Sequence, residues 1–311
     1  MSKGKKNSPQ VPTLSEVWEA YKLTPGRLEK TTEQYKSTID RCILDWWHRP
    51  INSITRQEIR DRHSYLSQAN QARGEGRAQA DQIMRILNAL FNFAIRKYRI
   101  EGVQVLQDNP VMVLNDLKQW NRKPPRDEIV TPSQMPLFWK ELENFPNSND
   151  ADFMKLVLLT GLNRALVMGL TWDQVDLRKG ALLLDGQLKP IPVSTFVLEV
   201  LKRRHSRRRS TKETYVFNSA KDDNKRHGEF RGSLEIERKL KFPCSPVVLA
   251  RTFQSVAIGL SVSDAMILAL TNKKQRLFRG VHPSFESMQK ATESITTEIL
   301  ESAKESNSIH A

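Results

Sequence analysis

From Gln79 to Arg99 the apolar residues Ile83, Ile86, Leu87, Leu90, Phe91, Ala94 and Ile95 recur with a 3.6-residue period. A strand, whose side chains alternate face at every residue, does not gather such a set on one side. The stretch predicts an amphipathic helix of about five turns. A continuous apolar stripe of that length needs other helices to cover it, so the chain is drawn toward a helical fold. Upstream signals agree. Leu14, Val17, Trp18 and Tyr21 follow a capping Thr13. Tyr35, Ile39 and Ile43 follow Thr31 as N-cap of a helix beginning near Lys30. Thr55 with Glu58 reads as a capping box for a helix through Tyr65.

This series ends at Asn109-Pro110 and at KQWNRKPPRDEIVTP (118–132), which is charged, carries prolines and has no apolar period. With 311 residues the chain has material for two cores. The reading is a flexible basic arm over 1–12, a helical domain over 13–117, a linker over 118–131 and a second domain over 132–311. In the second domain helices are predicted over Pro132–Phe145, Phe153–Gly161, Ala165–Gly169, Thr195–Arg204, Val247–Leu260 and Ser263–Leu270. A last helix is marked by Phe285, Met288, Ile295 and Ile299. Residues 181–194 change period around Asp185-Gly186 and predict a hairpin. Between Thr211 and Phe242 only Tyr215-Val216-Phe217 reads as ordered. The expected class is mainly α with a small β-hairpin or sheet, in two domains.

The chain has 49 Lys and Arg against 35 Asp and Glu, a net charge of +14. Such an excess favours a polyanion, and nucleic acid is the commonest, because each neutralised phosphate releases counterion. An anionic membrane surface is the competing partner, but no apolar run approaches the roughly 18 residues of a spanning helix. No signal peptide is visible, and the chain reads as cytoplasmic, on the nucleoid if the host is prokaryotic. Cys42 and Cys244 are far apart without CxxC spacing, and the six histidines show no ligand pairing. No metal, cofactor or small-molecule substrate is expected.

At Thr160-Gly161 the sequence begins to resemble the tyrosine recombinases, the family of the phage integrases. LLTGLNRALVMGLTWDQVDL (158–177) is similar to the family's first catalytic box, YVF (215–217) to a strand before the second, and SPVVLARTFQSVAIGLSVSDAMILAL (245–270) to the second box and its following helix. GVHPSFESMQKA (280–291) resembles the segment around the nucleophile. In the first half KTTEQYKSTIDR, WWHRPINSITRQEI and FNFAIRKY followed by DNP look like the helical core-binding, SAM-like domain. The resemblance implies a second domain of the catalytic type, with the two domains closing on duplex DNA.

The family's chemistry needs a tyrosine to attack phosphate, two arginines to hold its oxygens, and a lysine and histidines to move protons. Carried over by position, the first arginine falls on Asn163. Neighbouring Arg164 is turned about 100° around the helix. The lysine has no counterpart at Leu184 or in the trimmed turn, which leaves Lys189 in the second strand. The histidine and second arginine of the second box fall on Val247 and Ala250, with Arg251 beside them, and the next motif reads Thr271-Asn272. The nucleophile lands on Gly280, or on Phe278 if the loop slips. No register shift supplies a tyrosine, because Tyr21, Tyr35, Tyr65, Tyr98 and Tyr215 are the only five.

The resemblance therefore implies a DNA-binding protein that does not cut: a sequence-specific regulator or repressor of a prophage or other mobile element. The alternatives are a divergent recombinase with another nucleophile such as Ser284, and an inactive accessory subunit of a recombination complex. The DNA-contacting candidates are Lys30, Lys36, Arg41, Arg73, Arg77 and Arg85 in the first domain. In the second they are Arg164, Lys189, Arg203, Arg204, Arg207, Arg208 and Arg251, with the run at 203–209 as the densest basic cluster. Gln79 and Gln82 are candidates for reading bases. The last helix, within 283–303, either packs on its own domain or is passed to a neighbouring copy.

Overall fold

The computed structural model describes residues 11–69, 76–121, 127–184, 189–219, 222, 225, 226, 230, 232–273 and 283–304. They form two compact units, Met1–Pro124 and Pro125–Ala311.

In the first unit α1 (Leu14–Lys22) opens on a capping box in which Thr13 and Glu16 satisfy each other's backbone N–H, and it buries Leu14, Val17, Trp18 and Tyr21. Helix α2 (Glu29–Cys42) starts two residues before the expected Thr31 cap. The backbone N–H groups of Thr31 and Thr32 already donate to the Leu28 carbonyl, at 2.9 and 3.2 Å, so Leu28 takes the N-cap position. Helix α3 (Arg56–Gln68) has the expected Thr55–Glu58 box. Helix α4 (Gly76–Lys97) is the long amphipathic helix and crosses α1, α2 and α3, burying Ile83, Ile86, Leu87, Leu90, Phe91 and Ala94. It stops at Lys97 rather than Arg99, because Arg99–Ile100 (β1) and Val103–Gln104 (β2) fold back as a hairpin. Glu101 and Gly102, at φ 51° and 83°, make its turn. A short helix, α5 (Val113–Asp116), follows.

Arg49 adds a second load to the Thr55 cap, its guanidinium donating to both oxygens of Glu58 at 2.6 and 3.2 Å. Arg49 first, and then the Thr55 N–H and hydroxyl, outweigh burial and hold the Glu58 carboxyl at about 2 against an ordinary 4.5. A carboxyl depressed in the folded state contributes stability above its unfolded value and loses it as pH falls toward the folded one. The urea midpoint of the first unit is therefore expected to drop between pH 4.5 and 2, and Arg49→Gln to flatten that drop. An unchanged pH profile in the variant would contradict the assignment.

Residues 118–121, placed by the sequence reading in the linker, are bonded into the first unit. The Asn121 amide donates to Asp81 at 2.8 Å and to the Ser67 hydroxyl at 3.0 Å, and Trp120 Nε1 donates to Asn115 at 2.6 Å. Asp81 is fully buried, with His63 Nε2 at 3.0 Å. Burial alone would raise its pKa, but hydrogen bonds from His63 and Asn121 hold the carboxyl below its ordinary value.

The second unit is built around α7 (Ser148–Thr160), which is buried on every side from Phe153 to Thr160 except at Lys155, as a helix at the centre of a core must be. Packed in the same unit are α6 (Met135–Glu143), α8 (Arg164–Gly169), α9 (Thr195–Ser206), α11 (Pro246–Gly259), α12 (Asp264–Leu270) and α13 (Phe285–Ser302). The expected hairpin is there as β4 (Ala181–Leu182) and β5 (Ile191–Pro192), but a third antiparallel strand, β3 (Val175–Asp176), flanks β4 and makes a three-stranded sheet.

A second difference is α10 (Gly232–Leu240), inside the stretch that sequence leaves as a charged connection. It buries one large apolar residue, Ile236, too little to show a period. It is held instead by the Gly232 N–H donating to Asp150 at 2.7 Å. Just upstream, Phe230 stacks on Phe153 at 3.9 Å between ring centres. Helix α13 buries Met288, Ile295 and Ile299 in the core of its own unit.

Candidate nucleic-acid interface

Gly161 ends α7 in the left-handed region, at φ 64°. A Cβ there would stand 2.4 Å from Phe253 Cδ1 and 3.0 Å from Thr271 Cγ2. The ends of α7 and α12 and the middle of α11 thus meet at one point, made possible by a residue without a side chain. Gly161→Ala combines a positive φ with overpacking and is expected to cost roughly 2–4 kcal/mol of unfolding free energy. A loss within about 0.5 kcal/mol, the range of ordinary surface changes, would contradict that close approach.

Asn163, Ala250 and Asn272, three positions where the resemblance calls for catalytic groups, lie around this point. Asn163 is the N-cap of α8, its Oδ1 accepting from the Leu166 N–H at 3.0 Å. Ala250 is buried in the second core at 8% exposure. Asn272 follows α12 at φ 53°. The nearby hydroxyls are spent on their own helices: Thr160 donates to the Leu156 carbonyl at 2.6 Å, Thr252 to Val248 at 3.0 Å and Thr271 to Ile267 at 2.7 Å. Leu184 is core, while Val247 is 56% exposed on the first turn of α11. Ser284, the rival nucleophile, caps α13 by accepting from the Ser287 N–H at 3.1 Å. Gly280 and Phe278 lie outside the described residues.

The basic candidates divide. Asp152, at 4% exposure, holds two arginines, accepting from Arg203 at 2.7 Å and from Arg204 at 3.1 Å. Arg204 also donates to the Val216 carbonyl at 2.9 Å, and burial pulls its pKa below the ordinary arginine value against the pull of Asp152. Arg208 donates to the Thr211 and Glu213 carbonyls at 2.6 and 3.0 Å and stands over the Trp172 ring. Much of the 203–209 run is thus engaged within its own unit. Arg203 and Arg204 fasten the last turn of α9 to α7, Arg208 closes the segment that follows α9, and Arg207 is exposed.

Other candidates are partly engaged. Lys36 pairs with Asp40 and lies 4.7 Å from the centre of the Trp47 ring. Arg251 is half-buried, 3.6 Å from Glu128. Arg164 is exposed, with its Nε 3.3 Å from the Met168 sulfur. Lys189 is exposed just before β5. Arg73 lies outside the described residues.

On α2, exposed Lys30 and Arg41 share the helix with Lys36, but Glu29, Glu33 and Asp40 balance the three. Helix α4 is different. Arg77, Ala78, Gln82 and Arg85 are its exposed positions over the first three turns, Gln79 is half-buried, and the one acid nearby, Asp81, is buried. Arg85 is 61% exposed, 3.6 Å from Asp81, and lies over Trp120 with 5.4 Å to the ring centre. Sequence reading missed the structural arginines of this unit. Arg56 binds Asp108 and Asp116, and Arg62 donates to the Cys42 carbonyl and to Asp45. Nothing in the local sequence announces partners so far along the chain.

Among the described residues no helix is long and apolar enough to cross a membrane, and no group of His, Cys, Asp and Glu is placed to hold a metal ion.

The helical first unit, the small sheet and the buried α7 with α11 against it define the class: the chain has the fold of a tyrosine recombinase. It is similar to the Tn1549 transposon integrase (residues 82–397) in complex with circular intermediate DNA, with TM-score 0.66 and 16% identity over 88% of this chain and 97% of that one. It is also similar to a lambda integrase dimer bound to a COC' core site, with TM-score 0.60 and 18% identity over 87% of this chain and 77% of that one. A lambda integrase tetramer bound to a Holliday junction matches with TM-score 0.59 and 17% identity, covering 92% and 80%. No family model and no curated protein matches the sequence.

Proposed function

We propose that this chain binds duplex DNA at specific sites without cutting it, as a regulator or repressor of a prophage or other mobile element. One observation carries the reading: no tyrosine follows Tyr215, so the segment resembling the nucleophile region has no hydroxyl able to make a phosphotyrosine. The substitutions at Asn163, Val247 and Ala250 support it, because none can hold the charge of a phosphate in attack. The net charge of +14 and the DNA complexes of the similar structures support the grip on DNA. Arg77 and Arg85 on α4 are its leading phosphate contacts, with Gln82 between them for base readout. Copies acting in pairs would favour repeated or palindromic sites. Such a protein works on the nucleoid if its host is bacterial.

The test is to select genomic fragments on the purified chain and footprint those recovered. Protection of a defined site with both strands intact is expected, with sites at promoters marking a regulator. Recovery only of attachment-like repeats would turn the reading toward a recombination partner. Retention of no fragment above a random-sequence control would overturn it.

A further inference from the structure

Between α7, the end of α9 and residues 213–219 lies a cavity of about 330 Å³, lined among others by Asp152, Trp172, Arg204, Arg207, Arg209 and Asn218. Its chemistry is that of donors. Both carboxylates at its wall are engaged by arginine, Asp152 by Arg203 and Arg204, and Glu213 by Arg209 at 3.0 Å. Arg207 adds an exposed guanidinium. Two lining residues also bring buried donors with no hydrogen-bond partner, the indole Nε1 of Trp172 and the amide Nδ2 of Asn218. A buried donor left unpaired costs roughly 1–3 kcal/mol, so two beside one cationic cavity call for an acceptor. The orientation of Asn218 is fixed, because its Oδ1 accepts from the Tyr215 N–H at 2.9 Å and the NH₂ must be the unpaired end.

We infer that this cavity is a binding site for a phosphate group, whose oxygens would take the unpaired donors while its charge meets Arg204 and Arg207. The volume lies at the lower end of small-ligand pockets, which run from roughly 300 Å³ upward, enough for a phosphate with a small organic moiety. The same group could come from a free phosphorylated metabolite or from a nucleic-acid backbone. The site goes beyond the proposed function, since phosphate binding is measured without DNA.

The test is a calorimetric titration of the full chain with inorganic phosphate at constant ionic strength. Saturable binding is expected, weakened about tenfold or more by Arg207→Gln, which removes one charge-assisted pair. Asn218→Asp keeps the oxygen that holds Tyr215 but exchanges the donor for a negative charge, and it should abolish binding. Trp172→Phe removes the indole N–H together with part of the ring that His205 and Arg208 pack against, and it should weaken binding, with the melting curve without phosphate recorded alongside to separate lost packing from the lost donor. Repeating the titration with a duplex present separates the sources. Competition identifies a backbone phosphate, and simultaneous binding identifies a small ligand. Absence of saturable binding, or equal affinity in Arg207→Gln and Asn218→Asp, would overturn the inference.

Discussion

Asp152→Ala is expected to destabilise the second unit by about 3–5 kcal/mol, because removing one partner of a buried ion pair leaves the other charge uncompensated. The side chain of Arg204 is only 11% exposed, whereas that of Arg203 is 43% exposed. Arg203→Gln is accordingly expected to cost no more than about 1 kcal/mol, as for an exposed pair. The contrast is read from urea denaturation of the three proteins. An Asp152→Ala midpoint close to the parent would show that the arginines in the last turn of α9 are not held as the geometry implies, and would return them to the pool of DNA contacts.

The second large effect is electrostatic. If the chain meets six to ten phosphates, affinity for its site is expected to fall about 10³–10⁵-fold between 50 and 200 mM salt. Replacing both Arg77 and Arg85 with glutamine removes two contacts and should flatten the logarithmic salt slope by about 1.8. Lys30→Gln, on a helix whose charges balance, should change affinity less than either arginine does. A slope unchanged by the double replacement would move the interface off α4.

The difference between these two sets of arginines explains what could be read from sequence and what could not. The capping boxes at Thr13–Glu16 and Thr55–Glu58 were legible because both partners lie within one turn. The α4 stripe was legible because its period is a property of the helix itself. The partner of Arg203, by contrast, is 51 residues away, and a count of charges treats Arg203 and Arg207 alike. Helix α10 and strand β3 escaped for a related reason: each is held by contacts from elsewhere in the unit, a Gly232 N–H on Asp150 and the pairing of Val175 with Leu182. The order of the boxes around Thr160-Gly161 pointed to the candidate site by position. The structure adds a role at Asn163, where the resemblance calls for an arginine: it caps α8. That role was also local, an Asn three residues before the N–H it accepts, and sequence alone could have suggested it. The donors at Trp172 and Asn218 had no sequence signal, since an unpaired group is known only once its surroundings are.

The most direct test of a grip without cleavage uses a duplex recovered by genomic selection, nicked so that any covalent intermediate is trapped. With purified full-length protein, a retarded complex is expected on a native gel and only free strands on a denaturing one. A protein–DNA adduct that survives denaturation, and disappears when a single hydroxyl-bearing residue such as Ser284 is replaced, would contradict the account.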